Sequence, residues 1–239
     1  MTDTFESVQC THQGVSLEGF MQRPLDAETR PAVMMFPGAT GPGPAFRDAV
    51  RKLAAEGYVA VGIDMYGSDA DVSSPQTAGT YFAELMTRPH AIRERAVAWF
   101  DAVRALPGID PGRVAAVGYC FGGKCVLELA RSGAPVRSVT SFHGLLTTHA
   151  PARPGAVSAR VAIWSGGRDP YAPIADFDAL RAELDTAGAD YQATLFAQAQ
   201  HSFTDPDHDG IAEGIAYDLT AHQVAWSGTL ALLKTTLAA

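Results

Sequence analysis

The chain has 239 residues, enough for one α/β domain with a sizeable core and long for two small ones. Its 47% hydrophobic and 18% charged residues are the composition of an ordinary soluble globular protein. A net charge of −8 argues against a general binder of nucleic acid or anionic membrane, although a local pair of arginines could still hold an acidic substrate.

The opening Met1-Thr2-Asp3-Thr4-Phe5-Glu6 has no basic region followed by an apolar core, so no signal peptide is expected. No run of about 18 apolar residues occurs, so no membrane span is expected either. Cys10, Cys120 and Cys125 make neither a disulfide framework nor a zinc-type cluster, which fits a reducing cytoplasm. Residues 5–10 and 15–22 read as an antiparallel pair around Gly14. Residues 31–36 read as a short buried strand, closed by the Pro/Gly-rich stretch 37–44. A helix fits 46–56, with Val50, Leu53 and Ala54 on one face and Gly57 as its stop. A second buried strand, 58–63, runs into Asp64-Met65-Tyr66-Gly67.

Residues 68–89 are the least regular stretch; within it, 81–86 reads equally as a pocket wall or a core-facing helical turn. The pattern then predicts a helix over 90–106, a strand over 113–119, a helix over 124–131 and a strand over 136–142. A loop at 149–157, a strand at 160–165, a helix at 174–187, a strand at 191–196 and a last helix over 213–237 follow. Strands alternating with helices of about 10–15 residues imply right-handed crossovers and a mostly parallel sheet flanked by helices on both faces. With no repeat, low-complexity tract or linker, residues 1–239 read as a single domain.

The most informative stretch is Gly118-Tyr119-Cys120-Phe121-Gly122-Gly123, between the apolar run 114–117 and a helix. It is the pattern of a strand-to-helix nucleophile elbow, with cysteine in the central place. A helix N-terminus also favours the thiolate. Such a nucleophile needs a base, and the base needs an orienting acid. Asp169 follows the 160–165 strand in Gly166-Gly167-Arg168-Asp169, and His201 follows the 191–196 strand in Gln200-His201-Ser202-Phe203. Each residue alone has a plain structural reading, as a buried thiol, a turn aspartate before Pro170 or a loop histidine. Together, in the order nucleophile, acid, histidine on three strand ends, they point to the triad of an α/β-hydrolase.

Acyl transfer also needs two N–H donors for the oxyanion. Phe121 is expected to give one and Gly38 the other, with Ala39 in reserve; Pro37 has no N–H to give. His143 ends the 136–142 strand and is expected to line the pocket, together with Pro37, Ala39, Trp164, Arg168 and Phe203. His12, His90, His149 and His222 read as surface residues. Asp205-Pro206-Asp207-His208-Asp209-Gly210 superficially matches a calcium loop, but Ala216 stands where the pattern needs Glu, so no metal site is expected.

On the elbow, the Gly166–Asp169 turn, Gln200-His201-Ser202-Phe203, the segment from Gly57-Tyr58 through Asp64-Met65-Tyr66-Gly67 and the closing stretch 216–226, the chain resembles the dienelactone hydrolase family over nearly its whole length. The resemblance implies a compact α/β-hydrolase domain without a large cap, a Cys-His-Asp triad acting on lactones or activated esters through a thioacyl enzyme, and no cofactor. Two departures stand out. Pro37 occupies the place of a glutamate that contacts the resting thiol in family members active on dienelactone, so the Cys120 thiol is expected to pair with His201 or contact Thr40 instead. Asp205 stands near the place of an arginine that holds the substrate carboxylate, with Arg88, Arg93 and Arg168 left to compensate. A small-molecule ester or lactone other than dienelactone is therefore the expected substrate, for a monomer or homodimer. Two rival readings keep the scaffold: an acyltransferase or thioesterase-like enzyme, and a ligand-binding protein without turnover.

Overall fold

The computed structural model describes residues 4–24 and 28–238, so Met1 to Asp3, where a leader would begin, lie outside the described residues. Eight strands form one sheet: β1 (Glu6–His12), β2 (Val15–Gln22), β3 (Arg30–Phe36), β4 (Val59–Gly62), β5 (Ile109–Tyr119), β6 (Ser138–Phe142), β7 (Arg160–Gly166) and β8 (Tyr191–Phe196). Their spatial order is β1-β2-β4-β3-β5-β6-β7-β8. The β1–β2 and β2–β4 pairs are antiparallel; every pair from β4–β3 to β7–β8 is parallel. Six α-helices and a short 3-10 turn (Pro206–His208) complete the described chain: α1 (Pro44–Ala55), α2 (Pro75–Met86), α3 (Pro89–Arg104), α4 (Phe121–Arg131), α5 (Ile174–Ala187) and α6 (Leu219–Thr236).

The middle of β3 and the second half of β5 are apolar because successive side chains enter two different cores. Val33 and Met35 of β3 join Ala115 and Val117 of β5 in packing against Val50 and Leu53 of α1 and Ala225 and Leu233 of α6. Met34 and Phe36, one residue out of step, join Val114 and Ala116 against α3 and α4 on the other face. Burying each large side chain contributes about 1.5–3 kcal/mol, so a one-residue slip of β3 or β5 would forfeit contacts in both cores at once.

The structure corrects two element boundaries. The stretch 68–89 contains α2, whose start is fixed by a capping box: Ser74 Oγ accepts from the Thr77 N–H at 3.1 Å and the Ser74 N–H donates to Thr77 Oγ1 at 3.4 Å. The last helix begins at Leu219 rather than 213, with Asp218 capping the Ala221 N–H at 2.9 Å. The residues before it turn through Gly210 and Gly214, and Ile215 pairs with His201 in an isolated parallel bridge. Among the described residues, no helix is long and apolar enough to cross a membrane.

Candidate active site

The sheet delivers its reactive groups to one edge, the carboxyl ends of the parallel strands. β5 ends at Tyr119, and Cys120 is the N-cap of α4 with φ 54° and ψ −115°, a strained conformation for a residue with a Cβ. Packing holds it there. A Cβ on Gly118 would lie 2.0 Å from the Gly122 carbonyl oxygen, so only glycine lets β5 and the first turn of α4 approach so closely. The Cys120 N–H donates to the Phe142 carbonyl of β6 at 3.0 Å, which fixes the elbow to the neighbouring strand. Cys120 as a residue is partly buried, whereas Cys125, deeper in α4, is fully buried and burial pushes its thiol well up.

His201 and Asp169 arrive from β8 and β7. The Asp169 Oδ1 accepts from the N–H groups of Tyr171 and Ala172 at 2.8 and 3.1 Å, which folds the turn and orients the carboxylate. Its Oδ2 meets His201 Nδ1 at 2.8 Å, with both side chains buried. The Cys120 thiol lies within electrostatic reach of His201, and each favours the charged form of the other. Burial alone would push this thiol up and this imidazole's pKa down. The contacts outweigh burial in both: His201 and two backbone N–H groups hold Cys120 below the usual thiol value, and Asp169 with Cys120 holds His201 above the usual imidazole value. The pair is therefore set toward thiolate and imidazolium.

Those backbone N–H groups belong to Ala39 and Phe121. The Phe121 donor is where the elbow geometry requires it. Of the two candidates for the second donor, Ala39, the reserve, has the N–H that favours the Cys120 thiolate, while Gly38, the first choice, lies with its α-carbon side toward the Cys120 Cβ. A cavity of about 250 Å³ opens beside this point, with Pro37, Gly38, Tyr66 and Phe121 among its walls. Arg47 of α1 and Phe20 of β2 also line it, with the guanidinium 4.4 Å over the Phe20 ring. Neither stands out in the sequence, because nothing local says that α1 reaches this rim. A larger hollow of about 700 Å³ lies away from this edge, against α3, α4 and the loop at 149–157; Cys120, Asp169 and His201 are not among the lining residues of either, but Phe121, next to Cys120, lines the smaller one.

The remaining pocket residues divide. His143 is buried rather than on a cavity wall; its Nε2 pairs with Thr204 Oγ1 at 2.8 Å and its ring packs T-shaped on that of His201 with centroids 5.2 Å apart. Burial, then the neighbouring His201, push the His143 pKa well down. Trp164 is a correction: it turns into the core under α6, donating to Thr229 Oγ1 at 3.1 Å, because β7 is buried on both faces and Trp164 falls on the α6 side of the pleat. Phe203 is likewise in that core, fully buried among Phe196 and His143. Arg168 is exposed. Of the other two candidate arginines, Arg88 pairs with Glu84 and Arg93 with the buried Glu128, so both already have carboxylate partners. Tyr171, unmarked by any sequence pattern, lays its half-exposed ring 4.8 Å from the His201 ring.

Known proteins share this frame. The model of the dienelactone hydrolase family matches residues 17–237. The solved structure of a dienelactone hydrolase-like promiscuous phosphotriesterase from metagenomic libraries superposes with a TM-score of 0.91, at 32% identity, covering 98% of each chain. An uncharacterized protein of Caenorhabditis elegans is 32% identical over 146 residues, 60% of this chain and 92% of its own length. A Bradyrhizobium protein named as a probable 2-oxo-3-(5-oxofuran-2-ylidene)propanoate lactonase is 24% identical over 230 residues, 92% of this chain and 90% of its own length.

Proposed function

The chain belongs to the dienelactone hydrolase family and is a carboxylic ester hydrolase, and we propose that it works through a Cys120 thiolate, with His201 as acid and base and Asp169 orienting it. The observation that supports this reading is the buried Asp169–His201 pair, at 2.8 Å, beside a Cys120 at the N-terminus of α4 whose thiolate His201 and the N–H groups of Ala39 and Phe121 favour.

The thiolate attacks the ester or lactone carbonyl, forming the S–C bond and moving the carbonyl electron pair onto oxygen. The N–H groups of Phe121 and Ala39 receive that charge. As the tetrahedral centre collapses, the C–O bond breaks and the departing alkoxide takes the Nε2 proton of the His201 imidazolium. Neutral His201 then takes a proton from water, the resulting hydroxide attacks the thioester, and the thiolate leaves with His201 again protonated. The sum is ester plus water to acid plus alcohol. Alkoxides and phenoxides leave from such a centre far more readily than amines, so esters suit this site better than amides.

A small neutral or weakly charged ester fits best. Pro37 offers no carboxylate beside the thiol, and the cavity carries both signs, with Glu18 and Asp64 as well as Arg47. The 32% identity with a phosphotriesterase adds aryl phosphotriesters as a second substrate class, since the same thiolate and N–H groups suit attack on a P=O centre. All three cysteines are free thiols, which agrees with a cytoplasmic setting. Turnover of p-nitrophenyl acetate, p-nitrophenyl butyrate and an aryl phosphotriester by Cys120→Ala tests the assignment. The variant should lose at least about a thousandfold in kcat on every substrate that the parent turns over; unchanged ester turnover would refute it.

A further inference from the structure

Tyr66 closes the turn after β4, and that turn is held from two sides. Asp64 Oδ1 accepts from the N–H groups of Tyr66 and Gly67 at 2.7 and 3.2 Å. From α3, Trp99 donates to the Asp64 carbonyl at 2.6 Å, and Arg95 donates to the carbonyls of Met65 and Tyr66 at 2.5 and 3.1 Å. The Tyr66 side chain therefore projects from a fixed backbone. Its ring lies almost parallel to that of Phe121, with centroids 5.9 Å apart and planes 10° apart. Its hydroxyl donates to the Ala39 carbonyl at 2.8 Å. Burial, with the charges of the nearby cysteines and Asp64, pushes the phenol far up, so it stays a donor.

Phe121, which opens α4, and Ala39, on the loop after β3, are the two residues whose N–H groups favour the Cys120 thiolate. Two donors serve one oxyanion only if both reach it at about 2.7–3.1 Å. The Phe121 donor is fixed by the start of α4. The Ala39 donor sits on the loop between β3 and α1, which has no secondary-structure partner of its own. We propose that Tyr66 is the positioning residue of the oxyanion site, one side chain that sets the distance between the two donors by stacking on Phe121 and hydrogen-bonding the Ala39 carbonyl. This rests on the reading of Cys120 as nucleophile. It gives the Asp64-Met65-Tyr66-Gly67 strand end, conspicuous in the sequence, a part in the chemistry through the two donors it ties together.

Tyr66→Phe keeps the stacked ring and removes only the hydroxyl; Tyr66→Leu removes both ties. On p-nitrophenyl butyrate, kcat should fall about tenfold in the first and about a hundredfold in the second, with KM changed less than about twofold. The affinity of an alkyl trifluoromethyl ketone, which adds to the thiol and places an oxyanion between the donors, should fall by the same factors. The affinity of the matching unreactive amide should not move. Side-chain packing without positioning would leave the ketone-to-amide affinity ratio at the parent value in both variants, and that result overturns the proposal. Cys120→Ala, assayed in parallel, separates the two layers: if it is inactive while Tyr66→Phe retains parental kcat and ketone affinity, the tether is wrong and the nucleophile stands. If Cys120→Ala is active, both fall.

Discussion

The loops after β6 and β8 each place a buried histidine at the same sheet edge, with ring centroids 5.2 Å apart, yet the two imidazoles are driven in opposite directions. His201 has a carboxylate on one nitrogen and a thiol on the other side of its reach, and its pKa is held up against burial. His143 has a threonine hydroxyl on Nε2 and no hydrogen-bonding side chain on Nδ1, so burial prevails and it stays neutral. Desolvation acts on both; the partner decides the outcome. A charge-assisted bond contributes roughly 1.5–3 kcal/mol where a neutral one contributes about 0.5–1.5, which is the scale of the difference between them. Two protonated rings at this spacing would repel, so a neutral His143 also leaves the proton on His201 uncontested.

Removing the carboxylate should erase this difference, and its effect should be the larger of the two that follow from the contrast. Asp169→Asn is isosteric but leaves His201 without the charge that raises its pKa. On p-nitrophenyl butyrate, kcat should fall roughly a thousandfold. The pH profile carries the sign. Activity needs the thiolate and the imidazolium together, so kcat/KM rises as pH climbs through the lowered Cys120 pKa and declines as it passes the raised His201 pKa. In Asp169→Asn the alkaline limb should move to lower pH. A variant with an unmoved alkaline limb would show that Asp169 does not set the charge on His201.

The smaller effect tests the other member of the pair, through stability rather than rate. His143 has a folded pKa below its ordinary 6.5. Above that value it is neutral in both folded and unfolded chains, and its contribution is complete. As pH falls below it, the unfolded chain binds a proton that the native state refuses, and stability is lost at up to about 1.4 kcal/mol per pH unit. His143→Gln should flatten the acid side of a plot of unfolding free energy against pH, read from urea melts between pH 7 and the acid transition. An acid slope identical to the parent's would place the proton uptake elsewhere.

The sequence made much of this edge legible because its signals are local. Cys120 is marked by the glycines around it and the apolar run before it, and Asp169 and His201 by the strands that they follow. The structure pairs Asp169 with His201 at 2.8 Å and puts Cys120 at the N-terminus of α4, after β5. Other features were hidden for identifiable reasons. α2 buries only Ala78 and Leu85 and contains Gly79, so it shows no strong apolar stripe, although its Ser74-Pro75 start was present. Trp164 could not be assigned to a face, because a strand covered on both sides is apolar at every position. The choice between Gly38 and Ala39 depends on which way a peptide plane points, which no side chain records. Tyr66 and Thr204 make their hydrogen bonds to distant segments, Ala39 and His143.

The central claim is that Cys120 carries the acyl group during turnover, and rapid-quench intact-protein mass spectrometry tests it most directly. Mixed with p-nitrophenyl butyrate and acid-quenched within the first turnovers, the parent enzyme should gain the mass of one butyryl group. Peptide mapping should place that group on Cys120, and Cys120→Ala should show no gain. Ester turnover with no adduct under any quench time, or an adduct that persists in Cys120→Ala, would contradict the account.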